Sequence, residues 1–420
     1  MKGIIKLILV GSMCMGFCGC MTRPADEVIP SDTVSGNETN VTAATDETVT
    51  SDYWLDNKYY KAGVLQKGLQ KINGRWYLFN KITGEKEQEG ETVFLGSFFK
   101  SQEDTAAYFY ITLDGCKFRK IDDIVTTYYD SAQKKYVKAL NRRDPSIYAE
   151  NGNFYFLTTG YINKTSHPDN KKLFDFAISH TTDFYKFDLG SPVSLSGDNI
   201  NVETGEKERW APEWFIDTDG KKYVFYSVRR PTDSNEPDVV FDIYRTEALD
   251  LDSYKFSEPV KMNMDPLPVR SFIDAFVVKN DNIYYMFVKN AEDAHVEWED
   301  LSNAIWVYTS EDLTDWNKSY EIPGELLPLP FENGYKVYYE GPALIKNGDT
   351  WHFYADIMHW NLNPFKLTYP GQLKHLTSTD LKTWSDEGTV ETYGEPLRHG
   401  SLTALTDNAS VKVIQALYNK

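Results

Sequence analysis

Cysteine is scarce in this chain, with four residues in 420. Cys14, Cys18 and Cys20 crowd into the first twenty positions, and Cys116 stands apart. If the leader is cut at Cys20, Cys14 and Cys18 leave with it. No internal disulfide is then expected, and a chain of this size needs none. Basic charge is also in deficit. Lys and Arg total 44 against 62 Asp and Glu, a formal net charge of -18. Phosphate binding needs Lys and Arg, so nucleic acid is not an expected partner; the acidity reads as solubility outside the cell. No apolar run is long enough to span a bilayer: Ile4–Val10 is the core of the N-terminal one. Helical periodicity is slight, and no Cys/His spacing matches a zinc motif.

Aromatics are abundant, at 15%, with 28 Tyr. That favours β structure, where rings pack on pleated faces, and it suits carbohydrate binding. At the N-terminus, Lys2 and Lys6 supply the positive start and Ile4, Ile5 and Leu7–Val10 a short apolar run, so residues 1–20 read as an export signal. Gly19-Cys20 resembles a bacterial lipobox, although Phe17 and Cys18 depart from its usual residues. Acylation of Cys20 is expected to anchor the protein at the cell envelope; an ordinary signal peptide is the alternative. Residues 21–52, rich in Thr, Ser, Asp and Glu, form an acidic flexible linker. Residues 53–92 form a small β-hairpin segment, with Asn73-Gly74 as the turn.

From residue 93 the chain becomes periodic. Gly/Asn/Asp turns at 151, 219, 281 and 348, about 65 residues apart, each precede an aromatic strand such as Phe154-Tyr155-Phe156 or Trp351-His352-Phe353-Tyr354. Relatives of Ser/Thr-x-Asp-Leu-x-x-Trp follow, as in Ser310–Trp316 and Ser378–Trp384. Such units read as propeller blades, because a ring buries both faces of each sheet and hides the edges. The predicted fold is all-β, a five-bladed propeller over residues 93–420. Its fifth blade joins final strands within His399–Leu417 to strands at 93–97 and 107–121. A β-sandwich does not explain four copies at one spacing. A monomer is expected.

Three acids stand at the heads of these strands: Asp144 in Arg143-Asp144-Pro145, Asp274 in Ile273-Asp274-Ala275 and Glu340 in Glu340-Gly341-Pro342. Taken singly, each has a plainer reading: a turn residue, an ion pair with Arg270, a strand-end Glu. Three in phase with one repeat point instead to acetal cleavage, which needs a base for water and an acid for the leaving oxygen.

Together with Trp210-Ala211-Pro212-Glu213 and Arg398-His399-Gly400-Ser401, these motifs resemble glycoside hydrolase family 43 over about residues 93–420. Members are five-bladed propellers acting on arabinose- and xylose-containing polysaccharides. The resemblance implies Asp144 as general base, Glu340 as general acid and Asp274 as the residue that orients the acid and raises its pKa. It also implies an inverting outcome at α-L-arabinofuranosyl or β-D-xylosyl linkages. His399 would lie in the central channel, near a calcium held through water, or else be a core histidine; no cofactor is required. Trp210, Glu213 and Arg398 are candidate substrate contacts, and Phe176, Trp298, His359 and Trp360 further subsite candidates. Two alternatives stay open: a fructan-acting propeller hydrolase, and a non-catalytic surface glycan-binding lipoprotein. The first lacks its Asn-Asp-Pro motif here, and the second does not need three carboxylates.

Overall fold

The computed structural model describes residues 51–130, 132–139, 142–162, 173–192, 208–230, 240–264, 271–291, 305–322, 326, 335–362 and 365–420. The signal segment, Cys20, nearly all of the acidic linker, Arg270 and Trp298 lie outside the described residues.

The described chain is mostly β. Among the described residues, five larger sheets follow one another and make a propeller-like arrangement. Sheet one comprises Arg142–Glu150, Asn153–Ile162, Leu173–Thr181 and Asp188–Pro192. Sheet two is built on Arg209–Ile216, Lys222–Arg230 and Val240–Asp250. Sheet three is built on Phe272–Asn280, Ile283–Asn290, Ile305–Ser310 and Asp315–Glu321. Sheet four uses Tyr335–Asn347, Thr350–Leu362, Leu373–Ser378 and Ser385–Thr389. Sheet five takes its first strand, Arg398–Ala404, from the end of the chain and pairs it with Phe94–Phe99, followed by Tyr108–Thr112 and Arg119–Val125. The five first strands touch in cyclic order, with Arg398–Ala404 against both Tyr335–Asn347 and Arg142–Glu150.

Aromatic layers hold neighbouring sheets together. Phe109 meets Phe156 and Phe184; Tyr148 meets Trp214; Phe225 meets Trp316; Phe287 meets Phe353 and Trp384; Phe118 meets Tyr354. Together these pairs cross all five boundaries, so the ring is held all the way round. Burying one such ring contributes about 1.5–3 kcal/mol.

The repeated Ser/Thr-x-Asp motif is a turn whose aspartate accepts two backbone N–H groups. Asp312 accepts from Thr314 and Asp315, and Asp380 from Lys382 and Thr383. Asp183 and Asp114 do the same in sheets one and five. The turn feeds Phe187, Trp316, Trp384 and Phe118 into the layers between sheets.

One expectation fails at the C-terminus. Strand structure stops at Ala404, and Asn408–Tyr418 is a helix. Asp407 caps it by accepting from Ser410 N, and Val411, Ile414, Leu417 and Tyr418 make a buried face. The helix packs on Gly68–Ile72, with Asn419 bonding both the N–H and the carbonyl of Leu69. Residues 53–90 hold more than one hairpin: Tyr53–Leu55, Lys58–Lys61 and Val64–Leu65 form one small sheet, and Gly68–Ile72, Arg75–Phe79 and Lys86–Gly90 another. No described helix is long and apolar enough to cross a membrane.

Candidate active site

Every first strand loses register with its partner, near its start in four sheets and midway along Tyr335–Asn347 in sheet four. The breaks fall between Arg143 and Ser146, Trp210 and Glu213, Ile273 and Phe276, Glu340 and Ala343, and Arg398 and Gly400. In four of them a residue sits at positive φ: Asp144 at 50°, Ala211 at 46°, Asp274 at 60° and Gly341 at 59°. A bulge of this kind re-aims the side chains beside it. For a non-glycine residue the left-handed conformation costs about 1–2 kcal/mol, so three of the four breaks hold strained backbone. Asp144 and Asp274 therefore occupy equivalent places in the repeat. Glu340 does not: it precedes Gly341, the equivalent position in sheet four, so the acids are not all in one phase. Gly341 is required here, because a Cβ on it would lie 2.4 Å from His399 Cδ2.

Asp144, Asp274 and Glu340 nonetheless line one cavity of about 210 Å³, together with Arg143, Thr159, Trp210, Ile273, Arg398 and His399. Phe99, Gln102 and Tyr369 complete its wall. His399 links two of the acids: its Nδ1 lies 3.2 Å from Asp144 Oδ1 and 4.0 Å from Asp274 Oδ2. Asp274 Oδ2 accepts the Gly341 N–H at 3.0 Å, which ties sheet three to the residue after Glu340. Glu340 faces two cations. Arg398 Nη2 donates to its Oε1 at 2.8 Å, and Lys289 Nζ is 3.7 Å from Oε2. Arg398 in turn donates through Nε to the fully buried Asp356 at 2.9 Å and stacks on the Tyr369 ring at 3.2 Å.

Burial and charge separate these groups. Burial raises Asp144, but the His399 charge and hydrogen bonds from His399 and Thr159 outweigh it and hold the carboxyl below its ordinary range. Burial pushes Asp274 up to about 6; the charges of Glu340 and Asp144 add to it and that of His399 opposes it. Asp356 is pushed to about 7, by burial against the pull of Arg398. His399 goes the other way. Burial disfavours its charge, yet Asp274 and Asp144 lift it to about 10, so it stands as an imidazolium among carboxyls. This arrangement favours the ionised form of Asp144 beside Asp274 and Asp356, which hold protons closer to neutrality.

Several expected contacts differ. Glu213 is not among the cavity-lining residues. Its carboxyl accepts from Ser146 Oγ at 2.7 Å, and burial lifts it to about 8. It lies two residues beyond the bulge, so its side chain turns towards sheet one. His399 is bound to acids through Nδ1. His359 does not line the cavity. The side chains of Phe176 and Trp360 lie outside the described residues. Asp356, Lys289, Tyr369 and Gln102 carry no motif of their own. Asp356 could have been found by the logic applied to Asp274, as an acid ending the apolar run Phe353-Tyr354-Ala355.

A family model described as a probable glycosyl hydrolase domain, related to family 43, matches residues 73–410. A search of curated proteins returns no match. Among solved structures, the chain is similar to a thermostable family-43 glycoside hydrolase at 17% identity, over 59% of this chain and 72% of that one, with a TM-score of 0.40. It is also similar to an endo-1,4-β-xylanase from Bacteroides thetaiotaomicron at 14% identity, over 77% and 94%, with a TM-score of 0.45. An α-L-arabinanase from Cellvibrio cellulosa matches at 12% identity, over 79% and 96%, with a TM-score of 0.42. The family match takes in all five strand-head motifs, and the chain belongs to this family of glycosyl hydrolases related to family 43.

Proposed function

We propose that this protein is a glycoside hydrolase that cleaves α-L-arabinofuranosyl or β-D-xylosyl linkages in plant polysaccharides, with inversion at the anomeric carbon. The observation that carries the reading is the meeting of Asp144, Asp274 and Glu340 at one cavity. Asp144 is the general base: it takes a proton from water as the water oxygen attacks the anomeric carbon. Glu340 is the general acid: it gives its proton to the leaving oxygen as the glycosidic bond breaks. The carboxylate left on Glu340 is then balanced by Arg398 and Lys289. Asp274 holds the Glu340-Gly341 peptide through the Gly341 N–H and positions the acid. The His399 charge favours the ionised, base-ready form of Asp144. Trp210 and Tyr369 offer ring faces to a sugar.

The same reading takes the five sheets as the blades of one propeller over residues 93–420, with 53–92 as a small N-terminal addition. Residues 1–20 are a lipoprotein signal, acylation at Cys20 anchors the exported protein to the envelope, and 21–52 are its tether. The protein acts as a monomer. Calcium, if held through water beside His399, raises the melting temperature in a titration that a chelator reverses.

The test is a panel of aryl α-L-arabinofuranosides and β-D-xylosides with arabinan, arabinoxylan and xylan, products separated by chromatography and the first-formed anomer read by proton NMR. Release of arabinose or xylose units with inverted configuration is expected. Binding without release from any substrate overturns the reading in favour of a glycan-binding protein.

A further inference from the structure

The described chain holds a second group of reactive side chains, remote from the acids. Cys116, His352 and His375 are all buried, at 7%, 5% and 1% exposure, and their ligand atoms lie within 4.8 Å of one another. His352 is four residues from Asp356 on the same strand, roughly 13 Å along it, and none of the three lines the acid cavity.

The fold fixes this group in advance. In sheet four, His375 pairs with Tyr354 and His352 with Thr377, so the two histidines are diagonal neighbours on one face. Their rings stack at 5.2 Å, and His352 Nδ1 faces His375 Nε2 at 3.0 Å. Cys116 arrives from sheet five in the repeated aspartate turn, where Asp114 Oδ1 accepts its N–H at 2.8 Å. The Cys116 carbonyl accepts from Glu391 N at 3.0 Å, and the Gly115 carbonyl from Tyr354 Oη at 2.7 Å. Gly115 packs so closely on His352 that a Cβ there would meet the ring at 2.6 Å.

We propose that Cys116, His352 and His375 form a binding site for a late first-row transition-metal ion, zinc(II) or copper(I), that clamps sheet four to sheet five. One thiolate and two imidazoles are a soft-to-borderline donor set, suited to these ions and unsuited to calcium or magnesium. Two metal–nitrogen bonds of about 2.0–2.1 Å span the 3.0 Å between the facing nitrogens at roughly 95°. Opening that pair by a few tenths of an ångström reaches a tetrahedral angle. The proton now shared between the rings moves to an outer nitrogen, and the thiol proton leaves to solvent. The two histidines stand 23 residues apart and Cys116 comes from a distant stretch, so the site has no compact spacing motif.

The test uses the full chain, its metal content measured by mass spectrometry as isolated and after chelation, followed by addition of zinc(II), or of copper(I) under reducing conditions. Cobalt(II) serves as a spectroscopic stand-in. One equivalent of zinc or copper bound, a higher melting temperature than the chelated protein, and a thiolate-to-cobalt charge-transfer band are expected. Cys116→Ser, nearly isosteric, abolishes the band and the metal-dependent rise while circular dichroism stays unchanged; His375→Gln weakens both. Binding and spectrum unaffected by Cys116→Ser, or no stoichiometric metal taken up by the folded wild-type chain, overturns the proposal in favour of a hydrogen-bonded core group.

Discussion

Arg398 is the side chain on which the acid side of the cavity converges. Its guanidinium divides between Asp356 and Glu340 and is packed by Tyr369 and Phe99. Lysine carries the same charge but cannot present two donors in that fixed geometry. Arg398→Lys is therefore expected to lower kcat by roughly 10²-fold with a smaller change in KM; kcat equal to wild type would show that the fork does not hold the acid. Much of this was legible from sequence, because Asp144, Asp274 and Glu340 stand in motifs that repeat. Asp356 was legible only as an acid ending an apolar run; its link to Arg398 was not, since that side chain comes from sheet five. The surroundings of Glu213 were hidden for a related reason: its motif fixed the bulge, but only the packing of sheet one on sheet two decides that its carboxyl meets Ser146.

At the level of the strand, the bulges set where the cavity-lining side chains point. Gly341 holds φ 59° and leaves room for the His399 ring. Gly341→Ala brings both backbone strain and a collision, displacing His399 from Asp144. A loss of about 10²-fold in kcat/KM is expected, of the size that a misplacement near 1 Å produces, with circular dichroism unchanged; full activity would mean that the His399 position is not critical. The aspartate turns matter to stability instead. Trp316, fed by one of them and 1% exposed, is expected to cost about 3–5 kcal/mol when replaced by Ala, measured by denaturant unfolding. Turns of this type were readable in the sequence because side chain and backbone partners lie two or three residues apart. The C-terminal helix was not, because its buried stripe covers only three turns and follows a strand. The one-residue offset of Glu340 also escaped, since Glu-Gly-Pro and Asp-Pro look alike until strand register is known.

For the molecule as a whole, joining the two ends of the folded chain in sheet five closes the ring and crowds titratable groups around its centre. Burial raises Glu213 from 4.5 to about 8. The folded state thus binds this proton more tightly than the unfolded state. The stability it contributes is complete below pH 4.5 and is lost as pH rises through about 8. Asp274, raised to about 6, and Asp356, raised to about 7, act in the same direction. His399, raised from 6.5 to about 10, adds a further loss as pH rises across that interval. Glu213→Gln keeps an uncharged group beside Ser146 and is expected to make the fall in unfolding free energy between pH 4.5 and 8 shallower; an unchanged slope in denaturant titrations would contradict the assignment. Ring closure was legible because the motif beginning at Arg398 lacks outer strands of its own and residues 93–121 supply them. The central claim is that this closure brings a base and an acid from different sheets to one glycosidic bond. Leaving-group dependence tests it most directly, comparing Glu340→Ala with Asp144→Ala on aryl glycosides of graded leaving-group acidity. Glu340→Ala should lose about 10²–10⁴-fold on poor leaving groups and recover on the most acidic one, while Asp144→Ala stays inactive on all; equal losses in both variants across the series, or wild-type rates in either, would contradict it.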